Sequence, residues 1–185
     1  MKKITTLFMM LLAAVMTLSM SSCTEDQEIG MTLEGTWEGY THAYHEYNGQ
    51  RYQSNRTVLT FGTDLFRFTQ GTGYWVDYYS DYGWARNYIA NHIDWKVKGG
   101  IIYIHFREDH YDIEIHDYRL YNDHFVGTIY TSDSNIDFSL YKTSDRNWND
   151  YDYGYYGPYY SKGTRAGSDK AAEAPKRMFI PDAEE

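Results

Sequence analysis

Residues 34–143 read as an all-β domain, a small up-and-down antiparallel β-barrel of about eight strands. Three observations carry this. Short segments alternate apolar and polar residues at period two, which turns one side of each toward a core. Neighbouring segments fold onto one another about tight turns with their apolar faces in register. No segment of useful length combines helical periodicity with capping residues.

The clearest element is central. Ile93, Trp95 and Val97 alternate with Asp94, Lys96 and Lys98, and Ile102, Ile104 and Phe106 continue the alternation beyond Gly99-Gly100. A two-residue Gly-Gly loop makes a tight hairpin and sets Val97 against Ile102, Trp95 against Ile104 and Ile93 against Phe106. Slippage by one residue would turn all six to the wrong face.

Asn122-Asp123, as a second two-residue turn, pairs Leu120 with Phe125 and Tyr118 with Gly127. Thr131-Ser132-Asp133-Ser134, as a four-residue loop, pairs Ile129 with Ile136, Gly127 with Phe138 and Phe125 with Leu140. Gly127 opposite Phe138 leaves room for a ring. Inward parity changes between Ile113/Ile115 and Tyr118/Leu120, which predicts a β-bulge near His116-Asp117.

Upstream strands are expected at Trp37–Tyr44, Arg56–Phe61, Leu65–Thr69, Tyr74–Tyr79 and Trp84–Val97. Eight or nine strands in roughly 110 residues is the density of a sandwich or barrel, and hairpins between nearest neighbours favour the closed barrel. The expected inward set is Trp37, Leu59, Phe66, Phe68, Trp95, Ile104, Phe106, Leu120, Phe125 and Phe138.

The N-terminus reads as an export signal over residues 1–22. Lys2-Lys3 forms a basic head, Leu7 to Met16 an apolar run, and Ser19-Met20-Ser21-Ser22 a small-residue cut site. That run is shorter than the roughly 20 apolar residues a membrane span needs. Cys23 is the chain's one cysteine, so no internal disulfide explains it. Met20-Ser21-Ser22-Cys23 resembles the lipobox of bacterial lipoproteins, which implies acylation at Cys23 and a membrane partner through that lipid. Thr24-Glu25-Asp26-Gln27-Glu28 resembles the acidic surface-export patch of Bacteroidota lipoproteins. An outer-membrane, lipid-anchored location is therefore expected, with the domain facing either the cell surface or the periplasm.

Residues 23–33 are expected to be a flexible tether. Residues 144–185, with their Tyr/Gly-rich run Asp150 to Tyr160, are expected to be a disordered tail. Removing residues 1–22 moves the formal net charge from −9 to −11. Such a domain repels phosphate backbones, so nucleic acid is excluded as a partner. A monomer is expected.

The chain also contains Gly35-Thr36-Trp37 near the start, Trp95 to Ile104 in the middle, and Asp117 to Leu120, Phe125 to Ile129 and Phe138 to Lys142 at the end. This pattern resembles the short lipocalin-like domains of Bacteroidota lipoproteins over about Leu33 to Lys142. The resemblance implies a small apolar or amphipathic ligand inside the barrel, with Trp37, Phe66, Phe68, Trp95 and Phe106 lining its site.

The alternative is a solid barrel acting as a surface interaction module that contacts glycan or protein through Tyr/Trp-rich loops. Tyr74, Tyr78, Tyr79, Tyr82 and Trp84 would form that aromatic rim, since Tyr brings large contact area at low entropy cost. His105, His116 and Glu114 are candidate zinc ligands on adjacent strands, although a polar outer face explains them as well. His42 and His45 point to opposite faces of a strand and do not chelate. No cofactor and no resident metal are expected. Nor is catalysis, since no G-x-S-x-G, His-Glu-x-x-His or phosphate-cradling loop occurs.

Overall fold

The computed structural model of the protein describes residues 24–47, 50–79, 88–144 and 176–179. A helix over 24–33, α1, comes first. The strands follow in chain order: β1 (Gly35–Tyr40), β2 (Ala43–Tyr47), β3 (Gln50–Gln53), β4 (Arg56–Asp64), β5 (Arg67–Tyr78) and β6 (Tyr88–Lys98). Then come β7 (Ile101–Phe106), β8 (Tyr111–Leu120), β9 (His124–Tyr130), β10 (Asn135–Ser144) and β11 (Lys176–Phe179). Eight strands close into a barrel in the order β1-β10-β9-β8-β7-β6-β5-β4, and β11-β2-β3 form a separate three-stranded sheet.

The expected registers hold where turn chemistry is strong. Val97 faces Ile102, Trp95 faces Ile104 and Ile93 faces Phe106. Gly99 and Gly100 take φ of 62° and 76°, a conformation that excludes most side chains. Leu120 pairs with Phe125, and Ile129, Gly127 and Phe125 pair with Ile136, Phe138 and Leu140. The bulge falls between His116 and Arg119, with Asp117 at φ 48°. It moves Tyr118 off the simple ladder. A Cβ on Gly127 would lie 2.6 Å from Tyr118 Cβ and 3.2 Å from the Phe138 ring.

Upstream, two expectations are corrected. The strand expected from Trp37 to Tyr44 breaks at His42, whose φ of 50° turns the chain out of the barrel into the β2–β3 hairpin. The segments expected at Leu65–Thr69 and Tyr74–Tyr79 are one long strand, β5, and Leu65-Phe66 is its hairpin tip. The Phe66 amide donates to Asp64 Oδ1 at 3.2 Å there. Leu65 and Phe66 are consequently 85% and 89% exposed and Phe68 41%, so Phe66 and Phe68 are not in the inward set.

The segment 24–33 is an ordered helix rather than a tether. Ten residues are too few for a stable isolated helix, so docking must hold it. Asp26 accepts from the Gly99 and Gly100 amides at 2.9 and 2.8 Å, and Leu33 is fully buried. Gly30 lies so close to β5 that a Cβ there would come within 1.8 Å of the Phe68 carbonyl oxygen. Part of the tail is also structured, because β11 pairs with β2.

Tyr118 lies beneath the start of α1, and burial, reinforced by Asp26 and Glu25, pushes its phenol up to about 12. The folded chain therefore keeps a proton that an unfolded tyrosine loses near 10.0. The resulting stability is complete below pH 10 and is lost as the pH rises toward 12. Urea midpoints measured on either side of pH 10 should fall more for the native chain than for Tyr118→Phe. Equal falls would mean that α1 does not cover this ring.

The interior is filled. Leu59, Phe61, Ile93, Ile102, Phe106, Phe125 and Ile129 have no exposed surface, and Trp75 and Ile104 have 1%. The rings meet edge to face, with centroids 5.7 Å apart for Trp37–Phe125, 5.2 Å for Trp75–Phe106 and 4.8 Å for Phe125–Phe138.

Candidate binding groove on the barrel wall

Because side chains alternate across each strand, the residues between the core positions form the outer wall. Pairing aligns them into two cross-strand rows. Gln70, Lys96, Tyr103, Glu114 and Tyr130 run across β5 to β9, and Thr72, Asp94, His105 and Asp112 run beside them. A groove of about 1170 Å³ lies over this wall, reaching Asp64 at one end and Thr131-Ser132 at the other.

Short hydrogen bonds hold the wall side chains. Arg107 donates to both oxygens of Asp94, at 2.8 and 2.5 Å. That fork holds the Asp94 carboxyl below its ordinary range and raises Arg107. His105 Nδ1 is 2.8 Å from Asp112 Oδ1, and Lys96 Nζ lies 5.1 Å from the centre of the Tyr103 ring. The Tyr130 hydroxyl donates to Asp117 at 3.0 Å, which raises its pKa. Asp64, Asp94, Asp112 and Glu114 outnumber Lys96, so the groove disfavours anions. It offers carboxylate acceptors, amide and ammonium donors, and two phenol rings.

The sequence-derived candidates separate. Trp37, Trp95 and Phe106 are 0–3% exposed and packed into the core, whereas Phe66 and Phe68 lie outside at the β4–β5 tip. These five residues do not come together around a space. A ligand inside the barrel would have to displace packed side chains.

Of the aromatic rim, Tyr82 and Trp84 lie outside the described residues, as does Cys23. Tyr74 meets the His92 ring at 5.4 Å, and Tyr78 stacks under Arg56 at 4.1 Å. Tyr79 is buried edge-on against His45 at 5.3 Å. The three described tyrosines thus have three separate settings.

The β7–β8 loop spans residues 107–110, so His105 faces Asp112, not Glu114 or His116. His116 Nε2 instead reaches Glu114 Oε2 at 2.7 Å, and its ring meets Tyr130 at a tilt, with centroids 4.5 Å apart. No group of three or more His, Cys, Asp or Glu side chains among the described residues is placed to hold a metal.

Sequence reasoning passed over a buried polar cluster at the opposite end from α1. Asp77 follows Trp75 on the inward face of β5. It accepts from Thr57 Oγ1 at 2.7 Å, Trp75 Nε1 at 3.0 Å and Arg177 Nε at 2.8 Å. Arg177 Nη1 also donates to Asp109 at 3.3 Å, and its guanidinium lies 4.4 Å from the Phe106 ring centre. Desolvation alone would lower the pKa of Arg177, but Asp77 and Asp109 more than offset it and hold the group charged. The one sequence signal was a charged residue at an inward strand position, Asp77.

The molecule is therefore a closed, side-chain-filled antiparallel barrel whose one end is capped by a small sheet and whose wall carries an acidic, aromatic groove. Comparison with protein families found no match, and neither did comparison with curated proteins. Among solved structures, a redesigned β-barrel is similar at 13% identity, covering 62% of this chain and 93% of that chain with a TM-score of 0.35.

Proposed function

We propose that the protein is a lipid-anchored, extracytoplasmic binding module whose solid barrel presents a glycan to, or takes one from, its surroundings through the outer-wall groove. The observation that carries this reading is the cross-strand row Gln70, Lys96, Tyr103, Glu114 and Tyr130. Phenol rings offer faces for the apolar side of a sugar, while carboxylate, amide and ammonium groups beside them match its hydroxyls. The acidic lining favours a neutral glycan over a charged one. The lipobox-like segment ending at Cys23 supports the anchor and the export that it requires.

The test is titration of neutral oligosaccharides into the mature chain, followed by amide and Trp/Tyr side-chain NMR shifts. Saturable shifts confined to β5–β9 wall residues are expected. Tyr103→Ala should weaken the affinity about tenfold with the unfolding midpoint nearly unchanged. Shifts among core residues instead would move the site inside the barrel, and an absence of shifts with any neutral glycan would remove the reading.

A further inference from the structure

β11 is built like a bound ligand. It does not belong to the barrel, it is four residues long, and in chain order 31 residues separate it from Ser144, where β10 ends. Its main chain pairs along β2, with Arg177 opposite His45 and Phe179 opposite Ala43. Arg177 and Phe179, two residues apart, both enter the barrel end and are 2–3% exposed, while Met178 between them is only half-buried. Main-chain pairing to an edge with alternate side chains in pockets is the mode of peptide recognition by strand addition.

The pocket has guanidinium chemistry. Two carboxylates, Asp77 and Asp109, grip one cation lying over the Phe106 ring, with Trp75 at 5.9 Å. Thr57 orients Asp77 and is itself 2.7 Å from Thr41 Oγ1. The fit is incomplete. Arg177 Nη2 has no hydrogen-bond partner among the described residues, nor does either side-chain polar atom of Asn91, which faces Trp75 across β5 and β6 and is fully buried. Buried polar groups left without partners cost stability, so the resident strand is held less tightly than its contacts suggest.

We propose that this barrel end is a binding site for an extended, arginine-bearing peptide with an aromatic residue two positions beyond the arginine, and that β11 is its tethered occupant. An outside peptide competes with an intramolecular one whose effective concentration is of order millimolar, so binding depends on release of β11.

The test uses the full mature chain and a labelled hexapeptide with the sequence of residues 175–180, followed by fluorescence anisotropy. Arg177→Ala weakens the resident strand, and this variant should bind the peptide at least tenfold more tightly than the native chain does. Binding should be lost when the peptide's arginine is replaced with alanine, or when Asp77→Asn is added to the chain. A folded Arg177→Ala chain that ignores the peptide, or binds it regardless of the peptide's arginine, would overturn the proposal. A dimer exchanging β11 between copies that excess peptide does not dissociate would overturn it as well.

Should Arg177→Ala not fold, hydrogen exchange in the native chain decides. The Arg177 and Phe179 amides should exchange faster than those of β6 and β7. Exchange of β11 only with global unfolding would mean that the strand is never released.

Discussion

Asp77→Ala is expected to destabilise the protein by about 3–5 kcal/mol, a large share of the stability of a domain this size. The carboxylate accepts three hydrogen bonds, and its removal leaves Thr57, the Trp75 indole N–H and a fully buried Arg177 short of an acceptor. Asp109 remains, but at 3.3 Å and on Arg177 Nη1 alone. Urea unfolding followed by tryptophan fluorescence should show a lower midpoint with an unchanged slope. Replacing Asp77 and Arg177 together by apolar residues of similar volume should cost less than Asp77→Ala alone, since no charge is then left unpaired. A loss below about 1 kcal/mol for Asp77→Ala would mean that water reaches this cluster.

Trp37→Ala should cost a comparable amount, about 3–5 kcal/mol, for a different reason. The indole is fully buried, donates to the Leu33 carbonyl at 2.7 Å and packs edge-on against Phe125. Lys142 Nζ lies 5.2 Å from its ring centre. One side chain thus joins α1, β1, β9 and β10. Its removal leaves a cavity and frees the end of α1 from the barrel. The midpoint shift should be accompanied by faster exchange of α1 amides. Trp37→Phe should be intermediate, keeping most of the packing but losing the hydrogen bond. If α1 exchange is unaffected, Leu33 and Asp26 suffice to dock the helix.

The downstream half of the barrel could be read because its information is local. Gly99-Gly100, Asn122-Asp123 and the parity change at His116-Asp117 each specify a turn or a bulge within a few residues, and the facing apolar sets leave one register. Phe66 and Phe68 alternate like residues of a strand facing the barrel interior, yet they lie outside it. The turn lies at Leu65-Phe66, and nothing as strong as a Gly-Gly pair marks it.

The helix over 24–33 and the strand β11 were hidden for a deeper reason. α1 is acidic, short and without a strong apolar period, and its order comes from docking on the Gly99-Gly100 turn and β5. β11 has four residues, and its anchor is an ion pair between positions 100 apart in sequence. The outer groove is similar. The polar identity of Lys96, Tyr103 and Glu114 is plain in the sequence, but that a groove lies over the wall carrying them depends on the pairing and closure of the whole sheet. Period and turn chemistry, which act over neighbouring residues, determine most of the barrel strands and their antiparallel order, whereas the filling of the interior follows from closure of the sheet. Which charges meet at the barrel end, and which wall becomes a groove, is decided only when distant segments are brought together.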